Sequence, residues 1–228
     1  MHLENVIWKA LTTRQAHFAE GDDGARRFIR EVTSLNAFPE PNDAGYDALG
    51  RLVGLNGTAG VFLDEPHAPR PEWEYIAGAA LTQMIWENGH EFPARHSDRQ
   101  ILPLGDEDSP DMLELTALTK PGPFGTRTHE LGYYVGIRDQ GKLVAMAGER
   151  LKIPGYTEVS AVCTHPDHLG KGYAGVLMLE LMRRIGDRGE TPFLHVRSDN
   201  ARAIALYERL GFTRRWKGHY AVLRRVVA

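Results

Sequence analysis

The apolar positions are most regular in the second half of the chain, where they predict helices and strands in alternation. From Ala174 onward they fall at the i, i+3, i+4, i+7, i+8 and i+11 positions of one helical face, which predicts a helix that ends at Gly186. A strand is predicted at residues 192–196. A second helix with apolar residues on one face follows, with Asp199 or Asn200 as its N-cap.

Upstream of these helices, runs rich in β-formers at residues 131–137, 142–150 and 157–164 are separated by turn sequences and predict a three-stranded antiparallel meander. A short strand at 101–104 and a helix at 110–118, with Ser109 as its N-cap, precede the meander. At the other end of the chain, residues 212–226 have room for two short strands.

The first half of the chain is patterned more weakly. Helices near 5–11 and 44–53 and strands near 59–63 and 79–86 are predicted there. Segment 89–99 is polar and shows no regular period, so we place a boundary in it between an N-terminal α/β extension, 1–95, and a second domain, 96–228. The length of the extension leaves open that it is a degenerate copy of the second domain.

Composition and charge narrow the class of protein. The 42% of hydrophobic and 25% of charged residues are typical of a globular fold, and a net charge of −3 argues against nucleic acid or an anionic membrane as a partner. The single cysteine, Cys163, excludes an intrachain disulfide and a multi-cysteine zinc site. We therefore expect a cytoplasmic protein without a metal or a membrane span.

A glycine-rich loop joins the strand at 157–164 to the regular helix. Small residues ahead of a helix N-terminus let backbone N–H groups converge on an anion such as a phosphate. Gly170, Gly172 and Gly175 satisfy the dinucleotide pattern G-x-G-x-x-G, but five residues separate the strand from the first glycine and only one more helix follows. A dinucleotide-dependent oxidoreductase is therefore the less favoured alternative.

The segment EVSAVCTHPDHLGKGYAGVLMLELM, followed by TPFLHVRSDNARAIALYERLGF, resembles the GNAT superfamily of acyl-CoA-dependent N-acetyltransferases, and most closely the branch with glycine N-acyltransferase-like proteins. The resemblance implies an α/β fold of the α+β type, with a mixed, mostly antiparallel sheet flanked by helices. The chain departs from the family's loop pattern at Leu169, where the family has Gln or Arg.

This resemblance also implies an activity. An acetyl or other short acyl group would pass from coenzyme A to a primary amine of a small molecule or peptide, by direct attack in a ternary complex. A non-catalytic acyl-CoA-binding module is the main alternative, and a homodimer stays open. Tyr207 would protonate the departing thiolate, and the other implied residues would bind acetyl-CoA or coenzyme A: Val162, Cys163, Thr164, Leu169, Gly170, Lys171, Gly172, Tyr173, Ala174 and Asn200.

The general base is predicted from strand parity. Glu158 alternates in phase with Ser160, Val162 and Thr164, which would place it on the face next to the thioester. The alternative for Glu158 is a carboxylate paired with a nearby arginine. Glu149, on the neighbouring strand, is the second candidate base.

Overall fold

The computed structural model describes residues 3–86 and 100–227. The elements of the N-terminal part are α1 (Val6–Thr12), β1 (Ala19–Gly21), β2 (Arg26–Phe28), β3 (Asn36–Ala37), α2 (Asp43–Val53), β4 (Thr58–Leu63) and β5 (Trp73–Trp86). Here β1, β2 and β3 form a small antiparallel sheet that the sequence pattern did not reveal, whereas β4 and β5 belong to a larger sheet.

The second part supplies three helices and six strands. They are β6 (Leu102–Leu104), α3 (Ser109–Thr119), β7 (Tyr134–Asp139), β8 (Lys142–Ile153), β9 (Tyr156–Thr164), α4 (Tyr173–Asp187), β10 (Thr191–Arg197), α5 (Ala201–Arg209) and β11 (Phe212–Arg225). The meander of β7, β8 and β9 is confirmed.

The large sheet has eight strands in the order β4-β11-β5-β10-β9-β8-β7-β6. Each neighbouring pair is antiparallel except β9 and β10, which are parallel. This mixed, mostly antiparallel sheet flanked by helices confirms the predicted fold class. It also removes the dinucleotide alternative, which requires a doubly wound parallel sheet.

The helix α4 holds the core of the second part together. The predicted apolar face is buried without exception from its second turn onward, at Leu177, Met178, Leu181, Met182 and Ile185, each of which is 0% exposed. This face packs against β8 and β9. Burial of five large apolar side chains fixes the helix, and with it the glycine loop that precedes it, on the sheet.

Two local predictions were wrong. Residues 212–225 form one strand, because β11 pairs with β4 on one side and β5 on the other, and bulges absorb its irregular alternation. A glycine such as Gly218 would be expected to interrupt a strand. Here it lies within β11 because the Trp216 ring covers it, and a Cβ at this position would lie 1.8 Å from that ring. Ser109 is the first residue of α3 rather than its N-cap, and its hydroxyl donates to the Thr126 carbonyl.

The strand β5 connects the two parts of the chain. It lies between β10 and β11, pairs with both, and buries Met84 completely. The predicted boundary segment, 89–99, lies outside the described residues, so the division into 1–95 and 96–228 stays a prediction, as does the degenerate copy. Strands from both sides of that boundary nevertheless share one sheet. No helix among residues 3–86 and 100–227 has the length and apolar character to cross a membrane.

We expect Met84→Ala to destabilise the whole sheet rather than the N-terminal part alone. Loss of a fully buried side chain between two strands should lower the free energy of unfolding by about 2–5 kcal/mol in one transition, measured by urea unfolding followed by circular dichroism. Ile76→Ala is the control, because Ile76 lies in the same strand but is 40% exposed. Two separate transitions, with only one of them shifted, would contradict a shared sheet.

Candidate active site

The site is built around a fork between two parallel strands. Pairing of β9 with β10 runs from Tyr156 opposite Thr191 to Glu158 opposite Phe193 and then stops. Beyond this point β10 pairs with β5 on its other side, through Arg197. Among the described residues, the backbone of 159–164 therefore has no strand partner on its β10 side. An extended ligand can hydrogen-bond to such an open edge.

A bulge lies in the open part of β9. Met146 faces Cys163 and Gly148 faces Ser160, so that two residues of β9 are opposite one residue of β8. Ala161, in the bulge, has φ of 53°, a left-handed conformation that is uncommon for a residue with a side chain. Bulges redirect strands near functional sites. Because β9 contains no glycine, nothing in the amino-acid sequence indicates a bulge there.

The glycine loop ends in a helix N-terminus with unused donors. Gly170 and Gly172 have φ of 80° and 77°, and a Cβ on either would meet nothing within 4 Å. No side chain of residues 3–86 or 100–227 caps α4, and the first turn of this helix contains no acidic residue. Converging N–H groups and the positive end of the helix dipole therefore face open space, which suits a pyrophosphate. Gly175, by contrast, lies inside α4.

A cavity of about 410 Å³ lies beside this loop. Lys171 does not line it, although its Nζ lies 3.1 Å from Nδ1 of His168, which does. Arg202 and Arg209 also face the cavity. Sequence analysis missed both arginines, although their i, i+7 spacing on α5 was an available signal. The other predicted cofactor-binding residues all line it: Val162, Cys163, Thr164, Leu169, Gly170, Gly172, Tyr173, Ala174 and Asn200.

A second cavity, of about 470 Å³, meets the first at β9 and α5. Tyr207 lines both cavities, with its side chain 7% exposed. Burial raises the pKa of Tyr207 to about 12, so its hydroxyl keeps its proton at neutral pH. Within the described residues no hydrogen bond engages that hydroxyl. Tyr207 therefore keeps its hydroxyl proton where the two cavities meet, and its role as a proton donor stays a prediction.

Asn200 and Cys163 also lie where the two cavities meet. Asn200 is the predicted N-cap of α5, and its Oδ1 accepts a hydrogen bond from Ala203 N at 3.1 Å. Burial raises the pKa of the Cys163 thiol to about 11, so thiolate is scarce at neutral pH and the residue is suited to packing. Among residues 3–86 and 100–227, no group of three His, Cys, Asp or Glu side chains could hold a metal ion.

Glu158 lies behind the cavity in a buried polar network. Its two oxygens accept hydrogen bonds from Arg150 Nε and Nη2 at 2.8 and 2.7 Å, and its Oε1 is 2.6 Å from His195 Nδ1. The next contact joins His195 Nε2 to Gln83 Nε2, at 3.0 Å. A neutral imidazole that donates from Nδ1 and accepts at Nε2 satisfies both contacts.

This environment disfavours Glu158 as the general base. Burial alone would raise its pKa, but the charge and hydrogen bonds of Arg150, with the hydrogen bond from His195, outweigh burial and lower the pKa to about 2. A carboxylate that is so weak a base takes a proton from an ammonium group poorly. The structure shows the alternative, the arginine-paired carboxylate, and the predicted catalytic role stays untested.

Glu149 is held in a similar way. Its carboxylate is 1% exposed and pairs with Lys152 Nζ and Arg188 Nη2, each at 2.8 Å. It lines neither of the two cavities. Strand parity could not show this for either glutamate, because it indicates the side of the sheet on which a carboxylate lies and not the charged groups that it meets there.

Comparison with known proteins agrees with this geometry. Residues 134–221 match the FR47-like protein family. The crystal structure of a GNAT-family protein from Novosphingobium aromaticivorans superimposes with a TM-score of 0.89, at 34% identity over 99% of each chain. The chain belongs to the GNAT family. A GNAT protein of Kribbella flavida shares the fold, with a TM-score of 0.67 and 16% identity over 100% of this chain and 97% of that one.

A curated GNAT relative matches part of the chain. The N-alpha-acetyltransferase RimI of Mycobacterium tuberculosis is 40% identical over 85 residues, which make up 36% of this chain and 52% of RimI. The match thus spans about half the length of that relative. These comparisons support the GNAT family and leave the narrower resemblance to glycine N-acyltransferase-like proteins a prediction.

We expect Glu158→Gln to destabilise the protein at pH 7 by about 3–5 kcal/mol, because it leaves the Arg150 charge buried without a partner. A carboxylate whose pKa is lower in the folded chain stabilises the fold above its ordinary pKa of 4.5, and this contribution is lost as the pH falls toward 2. Urea unfolding between pH 7 and 3 should therefore show the variant approaching the wild type as the pH falls.

The control for this series is Glu208→Gln. Glu208 pairs with Arg214 at the surface, where both side chains are about half exposed. Loss of such a pair should change stability by less than about 1 kcal/mol at any pH. A difference between Glu158→Gln and wild type that stays constant from pH 7 to 3 would show that Glu158 is not tightly paired.

Proposed function

We propose that this protein transfers an acetyl group from acetyl-CoA to a primary amine by direct attack in a ternary complex. One observation carries the proposal: the fork between β9 and β10 lies where the cavity beside the glycine loop meets a second cavity. Such an arrangement holds two substrates with their reacting groups close together, which is the main requirement for a direct transfer.

The cofactor side uses backbone groups for most of its contacts. Amides between Leu169 and Ala174 would bind the pyrophosphate, and the open edge of β9 from Val162 to Thr164 would pair with the pantetheine arm. Asn200 would donate from its side-chain amide to the same arm. Arg202 and Arg209 form no ion pair within the described residues, so their charges are available to the cofactor phosphates.

Acetyl-CoA, when bound, supplies an acetyl group activated as a thioester. Tyr207 holds a proton at its hydroxyl in the place where the two cavities meet, and it would donate that proton to the leaving sulfur. A backbone N–H near the Ala161 bulge would stabilise negative charge on the carbonyl oxygen. Glu158 acts as a positioning residue, because it fixes Arg150 and His195 at the fork.

The nature of the acceptor is the least constrained part. The name of RimI specifies an α-amine acceptor for that protein, but the aligned segment covers only 36% of this chain. We therefore propose the primary amine as a class, with acetyl as the preferred acyl group and the cytoplasm as the compartment. The second cavity favours catalysis over a module that only binds acyl-CoA, since such a module has no use for an acceptor site.

Gly172→Asp should weaken coenzyme A binding at least about 100-fold, or about 2.7 kcal/mol, in calorimetry. The substitution places a negative charge and a strained left-handed residue where the pyrophosphate binds. Gly155→Asp is a matched control, because Gly155 has φ of 79° and open space at its Cβ but lies in the turn before β9. Equal affinity in the two variants would exclude the loop as the phosphate site.

Tyr207→Phe should lower kcat about 100-fold at neutral pH if proton donation limits the rate, with little change in coenzyme A affinity or stability. The loss should be smaller at alkaline pH, where the thiolate leaves more easily without a donor. Tyr46→Phe is the control, since Tyr46 is also buried but lies in α2. Full turnover of the Tyr207→Phe variant across this pH range would make Tyr207 a packing residue.

A further inference from the structure

The walls of the second cavity carry positive charge. Lys120, Arg150 and Arg197 line it, and no Asp or Glu is among the described residues that do. Glu158 neutralises Arg150 through hydrogen bonds to its Nε and Nη2. Asp199 pairs with Arg197, where the two side chains are 67% and 62% exposed. The remaining charge is that of Lys120, an exposed residue that forms no ion pair within the described part of the chain.

The other titratable side chains on these walls supply no negative charge at neutral pH. They are Cys163, His195, Tyr207 and Tyr220. Burial raises the pKa of Cys163 to about 11 and that of Tyr207 to about 12, and it raises the pKa of Tyr220 as well. A histidine is neutral or cationic, and β4 and β5 line the cavity with uncharged residues only. An ammonium group therefore finds no anionic partner on the described walls.

Lys120 meets the cavity through an uncommon backbone conformation. It is the C-cap of α3, where its N–H donates to the Thr116 carbonyl at 2.8 Å. Its φ of 48° and ψ of 56° are left-handed, a conformation that glycine usually adopts at such helix ends. A side chain in this conformation lowers stability, and residues held in this way cluster at functional sites. From Lys120 the chain leaves α3 along the cavity, which residues 119–123 line.

A positive charge at this place distinguishes the two forms of an amine. Lys120 repels the ammonium form, whereas the neutral form is not repelled. The neutral form is also the one whose lone pair can attack a thioester. Because Glu158 and Glu149 are both held in ion pairs, an amine that arrives already neutral removes the need for either of them as a base.

We propose that the acceptor enters the second cavity as a neutral amine and that Lys120 excludes its ammonium form. This inference rests on the proposed function, whose acceptor class it specifies. The class is that of weakly basic primary amines, which carry an electron-withdrawing group near the nitrogen. Alkylamines as basic as a lysine side chain, with a pKa of about 10.4, would be disfavoured. Lys120 is thus a specificity-determining residue, because its charge selects the form of the acceptor that binds.

The first experiment measures binding to the full chain saturated with coenzyme A. The probes are 2-phenylethylamine and its β,β-difluoro analogue, which has nearly the same size but is a much weaker base. At pH 7 we expect calorimetry to show about tenfold tighter binding of the difluoro amine, or more, because a larger fraction of it is neutral. Equal affinity for the two amines, or binding of neither, would overturn the inference.

Proton release gives an independent readout of the same binding. An ammonium that must lose its proton before it binds releases about one proton for each 2-phenylethylamine bound at pH 7. Calorimetry in two buffers of different ionisation enthalpy measures this number. Binding without proton release would show that the cavity accepts the ammonium form, and it would contradict the role given to Lys120.

The second experiment removes the charge with Lys120→Gln. The preference for the difluoro amine should fall about fivefold or more, and fewer protons should be released, because the ammonium is no longer repelled. Lys120→Arg keeps the charge and should keep the preference. Lys142→Gln is the matched control, because Lys142 is also an exposed lysine but lines a different cavity. An unchanged preference in Lys120→Gln, or an equal fall in Lys142→Gln, would overturn the assignment to Lys120.

Lys120→Gly separates the charge from a structural role. Glycine relieves the left-handed backbone, so the melting temperature should rise by about 2 °C. The preference for the difluoro amine should nevertheless fall as it does in Lys120→Gln. If Lys120 served only to stabilise the end of α3, this variant would keep the wild-type preference, which would contradict the inference.

Turnover of the same two amines with acetyl-CoA separates this inference from the function on which it rests. At pH 7 we expect KM for the difluoro amine to be lower by about tenfold or more. If neither amine is acetylated, the failure falls on the acetyltransferase proposal, while selective binding that Lys120→Gln weakens would still support the exclusion of ammonium. If both amines are acetylated with equal KM, the exclusion fails and the acetyltransferase proposal stands.

Discussion

One buried carboxylate holds the sheet together at the point where it opens. Glu158 is the last residue of β9 that pairs with β10, and it bonds Arg150 of β8 and His195 of β10. Through His195 the network reaches Gln83 of β5, whose Oε1 accepts a hydrogen bond from Arg215 of β11. Side-chain hydrogen bonds near Glu158 thus link five neighbouring strands. Because of these links, β9 and β10 can separate beyond Glu158 while the sheet stays intact.

The fork determines how the two substrates would be recognised. Open backbone on β9 and uncapped amides at α4 offer donors and acceptors that do not depend on side-chain identity. The cavity beside the loop is therefore present even though this chain has Leu169 where the family has Gln or Arg. The acceptor side is instead built from side chains and from β5, which the N-terminal part contributes to the sheet. Specificity should therefore vary with the N-terminal part.

The sequence predicted those features that depend on neighbouring residues. Helical spacing located α4, a turn sequence located the hairpin of β7 and β8, and Asn200 marked the start of α5. Features that depend on distant residues could not be predicted in this way. The insertion of β5 between β10 and β11 and the contact of Glu158 with His195 both join segments far apart in the chain.

The same limit bears on the general base, whose assignment to Glu158 stays a prediction. Strand parity indicates the side of the sheet on which Glu158 lies, but not whether its charge is already neutralised by Arg150. With Glu158 and Glu149 both held in ion pairs, neither carboxylate is a ready acceptor for a proton. Lys120 and Arg150 line the second cavity, and their positive charge would lower the pKa of an ammonium group bound there. A cavity with this charge would thereby favour the neutral form of an amine, which is the form that can attack a thioester.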